Sequence, residues 1–143
     1  MTTQKDCIFC KIVNGEIPSE IVYEDDECVA VLDINPIAEG HTVIILKQHY
    51  KNLLDAPDGA SAAMIRACKC IGRAAMGALG ADGFNVFCNN ERSAGQVIDH
   101  MHMHVIPRKT DDGLRLDRPH SKHGHGSVSE IREKLRKQMD AAN

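Results

Sequence analysis

His100-Met101-His102-Met103-His104-Val105-Ile106 alternates imidazole with apolar side chain, and on a β-strand that period sends the three histidines to one face. Same-face neighbours on a strand stand roughly 7 Å apart, so the outer two are roughly 13–14 Å apart at Cα. One metal with ligand bonds of about 2 Å cannot gather all three, and the row must divide its labour. A neutral imidazole, with an ordinary pKa of about 6.5, is largely unprotonated at pH 7 and able to attack phosphorus. Its charged N-phosphoryl adduct is a good leaving group, and one pleat along a second imidazole is placed to donate to a phosphate oxygen.

A second constellation opens with Cys7-Ile8-Phe9-Cys10, two thiols one tight turn apart that can grip a zinc ion at about 2.3 Å each. Two more ligands are needed, and His49 and His100 are available. Four protein ligands would leave no open position for water, so this zinc would be structural. A redox pair needs a helix N-terminus in a βαβ context, which the pattern lacks; metal-free packing is the remaining reading. Cys68 and Cys70 fall two apart on a helical segment and are expected to be buried packing residues.

The elements that must position these groups follow from periodicity. Residues 21–33 read as two strands around Glu24-Asp25-Asp26-Glu27, and 41–47 as a third, rich in β-branched residues. From Pro57 to Leu79 apolar residues recur at spacings of three and four, which predicts the main helix, with Gly80 at its C-cap. Residues 83–90 predict a fourth strand, 91–95 a loop, and 100–106 a fifth strand ended by Pro107. The fold class expected is α+β, a five-stranded antiparallel sheet with one long helix and a C-terminal helix. The domain spans 1–110, with an irregular segment at 111–126 in which His120-Ser121-Lys122-His123-Gly124-His125 reads as a polar loop. The helix at 127–143 is expected to pack on the same domain, opened by the capping-box spacing Ser127-Val128-Ser129-Glu130.

At 143 residues the chain has the length of one domain, and a formal net charge of −3 provides no basic field for nucleic acid. No export signal or membrane-spanning run appears, so a cytoplasmic protein is expected, and six cysteines there are unlike a disulfide framework.

The segment from Gly95 to Arg108 resembles the signature of the histidine triad (HIT) family. Residues 7–12, Ile17-Pro18, and residues 30–36, 40–45 and 89–90 resemble further family segments in order. The resemblance implies a homodimer that hydrolyses or transfers nucleoside monophosphates from α-phosphate linkages, in phosphoramidates, aminoacyl adenylates or dinucleoside polyphosphates. It implies His102 as nucleophile, His104 as phosphate donor and His41 as the residue orienting the catalytic histidine. Asp33 would take the ribose hydroxyls; Ile8, Phe9, Ile12, Val31 and Ile34 would line the purine pocket; and Asn89, Gly95 and Gln96 would bind phosphates. Many members carry Ser or Thr after the Gly-Gln pair, where its hydroxyl helps the leaving group. This chain has Val97, so backbone donors must substitute.

A purine nucleoside phosphoramidase is the reading favoured, with dinucleoside polyphosphate hydrolysis as the alternative. A nucleotide-binding scaffold without turnover and a hydrolytic metal centre are the rivals from other classes.

Overall fold

The computed structural model describes residues 4–116, 123 and 127–142. They contain, in order, α1 (Ile8–Val13), β1 (Ile21–Glu24), β2 (Cys28–Leu32), β3 (Thr42–Leu46), α2 (Asp58–Ala78), β4 (Gly83–Phe87), a single 3₁₀ turn (Arg92–Ala94), β5 (His102–Arg108) and α3 (Val128–Ala142). The chain divides into two units, 1–112 and 113–143, and each is described by itself.

The first unit is built on one antiparallel sheet ordered β1-β2-β3-β5-β4. Alternation along β2, β3 and β5 sorts side chains onto two faces. Cys28, Ala30, Ile44, Leu46, Met103 and Val105 join α2 residues such as Met64, Ala67 and Ile71 in one core. Val29, Val31, Val43 and Ile45 pack with Phe9 on the opposite face, the face that carries His102 and His104. Both faces of the central strands are covered, which explains why β2 and β3 read as nearly continuous apolar runs. Register completes the placement: Ile45 lies opposite His102 and Val43 opposite His104.

Three expectations are corrected in detail. The fifth strand starts at His102 and continues through Pro107 to Arg108; beyond Val105 it pairs with β4 alone, an edge setting that tolerates a proline. His100 therefore precedes the strand, and the row of three imidazoles is a pair plus a separate residue. The fourth strand stops at Phe87 and not at Asn90. Cys70 is exposed, while Cys68 is buried against α2's core side, because two residues on a helix are about 200° apart.

The main helix matches its predicted span, with Pro57 as its N-cap and Gly80 following its end at φ 67°, the left-handed conformation glycine supplies. Helix α1 is absent from the sequence reading. It is six residues long and its N-cap is Cys7, whose Sγ accepts from the Cys10 N–H at 3.5 Å, so the usual capping signal is missing.

In the second unit α3 opens with the predicted capping box: Glu130 N–H donates to Ser127 Oγ and Ser127 N–H to Glu130 Oε2, both at 3.3 Å. The His120 to His125 run lies, apart from His123, outside the described residues. Among the described residues no helix is long and apolar enough to cross a membrane.

Candidate active site and metal centre

Carbonyl oxygens and amide N–H groups around the histidines fix the ring tautomers, because a carbonyl can only accept and an amide N–H can only donate. His102 Nδ1 lies 2.6 Å from the His100 carbonyl oxygen. The proton therefore sits on Nδ1, and Nε2 keeps its lone pair. His41 Nδ1 accepts from the Ile37 N–H at 3.1 Å, so neutral His41 is protonated at Nε2. That Nε2–H faces His104 Nδ1 at 2.9 Å, which makes His104 the opposite tautomer from His102, protonated at Nε2. The nucleophilic and donating forms of imidazole stand side by side, with ring centroids 5.2 Å apart.

His41 thus contacts His104, and His102 is oriented by the main chain of His100, which corrects the expectation that His41 orients the nucleophilic histidine. Two aromatic rings hold the pair. Phe9 meets His102 edge-on at 4.9 Å, and Phe87 stacks on His104 at 4.9 Å and 24°. Phe87 was missed from sequence; only the register of β4 against β5, which pairs it with His104, points to it.

Burial sets the protonation states. It pushes His104 down to about 4, helped by the neighbouring His102 and His41 and opposed by Asp33. Burial lowers His102 and His41 too, with the His100 carbonyl and Asp33 opposing it at His102 and Asp33 alone at His41. All three are neutral at pH 7. Because the folded pKa of His104 lies below its unfolded value of about 6.5, the unfolded chain takes up a proton that the folded chain refuses as pH falls. Stability should therefore drop as pH falls from about 6.5 towards about 4. Urea midpoints from pH 7 to 4.5 should fall less steeply for His104→Gln than for wild type; equal slopes would refute the assignment.

A cavity of about 900 Å³ opens beside the pair and is lined by both His102 and His104. Of the expected pocket residues, Ile8, Phe9, Ile12, Val31, Ile34, Asp33, Gly95 and Val97 line it; Asn89 and Gln96 do not. Asp33 is held by Asn35 N–H on Oδ1 at 2.8 Å, and its Oδ2 is 3.6 Å from His41 Nε2. Ile17, Pro18, Glu20, Val43 and Ile98 also line it. Val43 was findable as the same-face partner of Val31.

Gln96 is neither phosphate-facing nor solvent-facing: it is 2% exposed. Its Oε1 accepts from the Glu91 N–H at 2.8 Å, its Nε2 donates to the Lys51 and Ile98 carbonyls at 2.6 and 3.1 Å, and its own N–H is taken by the Glu91 carbonyl at 3.1 Å. Asn89 Nδ2 reaches the Gly95 carbonyl at 3.4 Å. Both side chains tie the loop together.

Cys7, Cys10, His49 and His100 bring four ligand atoms within 4.8 Å of one another. His100 Nδ1 is 3.3 Å from Cys7 Sγ, 3.5 Å from Cys10 Sγ and 3.1 Å from His49 Nδ1, and His49 Nδ1 is 3.3 Å from Cys10 Sγ. A tetrahedral zinc with bonds of about 2.05 and 2.3 Å places nitrogens about 3.3 Å apart and nitrogen and sulfur about 3.6 Å apart, so the set fits. His100 Nε2–H donates to the Leu46 carbonyl at 2.7 Å, which fixes the ring and frees Nδ1 as the ligand. Burial raises the Cys10 thiol, opposed by the Gln4 N–H; a divalent cation supplies the charge that a buried thiolate needs.

Residues 14–111 match the HIT domain. The chain belongs to the HIT family. This HIT protein is 49% identical over 113 residues to adenylylsulfatase HINT3 of Arabidopsis thaliana, across 79% of its own length and 57% of that protein's. It is 35% identical to the adenosine 5′-monophosphoramidase HNT1 of Candida albicans, covering 97% of this chain and 95% of the relative. Among solved structures, a Zn-bound histidine triad family protein from Mycobacterium smegmatis superposes with a TM-score of 0.75 at 35% identity, over 96% of this chain and 98% of that one.

Proposed function

We propose that this HIT protein cleaves α-phosphate linkages of purine nucleoside phosphoramidates or adenylates through a nucleotidyl-histidine intermediate. The observation that carries the reading is the pair of opposed tautomers at the cavity wall. His102 Nε2 attacks the α-phosphorus, the bond to the leaving amine or acyl oxygen breaks, and the leaving group departs with the electron pair, an amine also taking a proton from solvent that the water of the second step returns. The adduct ring becomes cationic with its proton on Nδ1, where the His100 carbonyl, 2.6 Å away, stabilises it. His104 Nε2–H donates to a non-bridging phosphate oxygen as charge builds there. Water then attacks phosphorus, the P–N bond to His102 breaks, and nucleoside monophosphate leaves.

The apolar lining suits a base, and Asp33 at the cavity wall suits the ribose hydroxyls. The names of the Arabidopsis and Candida relatives support the same substrate class. Cys7, Cys10, His49 and His100 would hold a zinc ion, supported by their geometry and by the Zn-bound relative. Bound there, it would supply a structural cross-link between α1 and the segments that follow β3 and precede β5. A homodimer completes the reading; Phe84 and Val86, 38% and 41% exposed on edge strand β4, support an interface there.

The direct test is a rapid alkaline denaturing quench of wild-type protein turning over adenosine phosphoramidate, because acid hydrolyses a P–N bond, followed by intact-mass measurement at neutral or higher pH. A protein species heavier by one adenylyl group is expected, with diadenosine polyphosphate run beside it for relative rate. Turnover with no adduct under rapid quench, at a rate that would accumulate one, sinks the covalent route.

A further inference from the structure

We propose that Arg92 is a positioning residue that turns the main chain at Val97 and Ile98 into a pair of phosphate donors. The proposal rests on the nucleotide reading above and adds a residue to which the sequence reading gave no role.

Arg92 Nη1 donates to two successive carbonyls, Val97 O at 2.6 Å and Gln96 O at 3.3 Å. In a trans peptide the N–H points opposite to the C=O of the same unit. Drawing the Gln96 and Val97 carbonyls to the guanidinium therefore turns the Val97 and Ile98 N–H groups the other way. Neither N–H has a protein acceptor among the described residues, and both residues line the cavity beside His102 and His104. Two successive N–H groups on one side form a concavity suited to an anion.

The rest of the loop keeps that orientation. Glu91 sits at φ 72°, ψ 160°, a conformation that non-glycine residues rarely adopt. It is held there by Gln96 Oε1 on its N–H, and by Lys51 Nζ and Asn52 Nδ2 on its carboxylate at 2.9–3.0 Å. Gln96 Nε2 takes the Ile98 carbonyl as well. The carbonyls of 95, 96, 97 and 98 thus all have donors inside the loop, and none of the four needs to face a phosphate. With valine at 97, this arrangement supplies from the backbone what a side-chain hydroxyl would supply.

Adenosine 5′-monophosphate titrated into ¹⁵N-labelled wild type should move the Val97 and Ile98 amide resonances downfield, together with those of Phe9 in the pocket wall. In Arg92→Met the wall should still respond while the 97 and 98 amides no longer move, and kcat on adenosine phosphoramidate should fall about tenfold with KM within twofold. Arg92→Lys should not rescue, because an ammonium is a point donor and lacks the planar fork; a merely structural contact would tolerate it. Val97→Ser should raise kcat more in the Met background than in wild type. Unmoved 97 and 98 amides in a wild type whose wall responds, or a folded Met variant with wild-type kcat, would overturn the role of Arg92 and leave the nucleotide reading standing. A wild type in which no cavity resonance responds overturns both.

Discussion

His102→Ala should lose about 10⁴-fold or more in kcat on adenosine phosphoramidate while still binding adenosine 5′-monophosphate within a few-fold of wild type. The size follows from deleting the proposed nucleophile, without which the proposed intermediate cannot form. Retained binding follows from the pocket being built by Ile8, Phe9, Ile12 and Val31, which the substitution leaves in place. Side-by-side variants give an ordering that the hydrogen bonds dictate. His104→Ala removes a charge-stabilising donor and should cost about 10²–10³-fold. His41→Ala, which acts on phosphate only through His104, should cost less than that. The adenylylated species should vanish in the first variant and persist in the other two. A His102→Ala protein of near-normal kcat, measured by release of monophosphate, would remove the proposed mechanism altogether.

The second large effect is expected at the sulfur and nitrogen cluster. Cys10→Ser, or chelation of the metal-loaded protein, should lower Tm by about 10–20 °C, corresponding to about 3–5 kcal/mol for a chain of this size. Affinity for adenosine 5′-monophosphate should fall by at least about tenfold as well. The reason is local: α1 carries both the cysteine and the pocket residues Ile8, Phe9 and Ile12. Its apolar anchorage in the face formed with Val29, Val31, Val43 and Ile45 is small, with buried Phe9 joined by the partly buried Ile12 and Val13. Freeing the cluster should therefore loosen one wall of the cavity. Differential scanning fluorimetry and calorimetric titration, each with and without added zinc, would read the two effects. A cluster variant with unchanged Tm and unchanged nucleotide affinity would show that the four side chains pack without a cation.

Much of the architecture was legible because the central strands obey a simple alternation. Val29, Val31, Val43 and Ile45 on one face and Cys28, Ala30, Ile44 and Leu46 on the other are spelled out by period two, and α2 by spacings of three and four. The triad misled in one respect. Period two places all three imidazoles on one strand face, yet a bend before β5 takes His100 out of the strand, while its ring goes to the cysteines as the expected metal set requires. No local pattern distinguishes that bend from one more strand residue. Helix α1 escaped notice because a six-residue segment offers less than two turns of periodicity and a thiol for a cap. Gln96 and Arg92 were unreadable for a different reason. Their partners are main-chain carbonyls, including Lys51 O for Gln96, and backbone acceptors leave no trace in side-chain identity.

His100 answers to two masters, its ring facing the thiols and its peptide oxygen gripping the His102 imidazole. Redesigning the cluster away, for instance by filling it with leucines to make a cation-independent protein, would therefore carry a hidden liability. Such a variant could regain full thermal resistance and still be a poor catalyst, because the carbonyl that selects the attacking tautomer would no longer be pinned. Stability rescue and activity rescue at this spot should come apart.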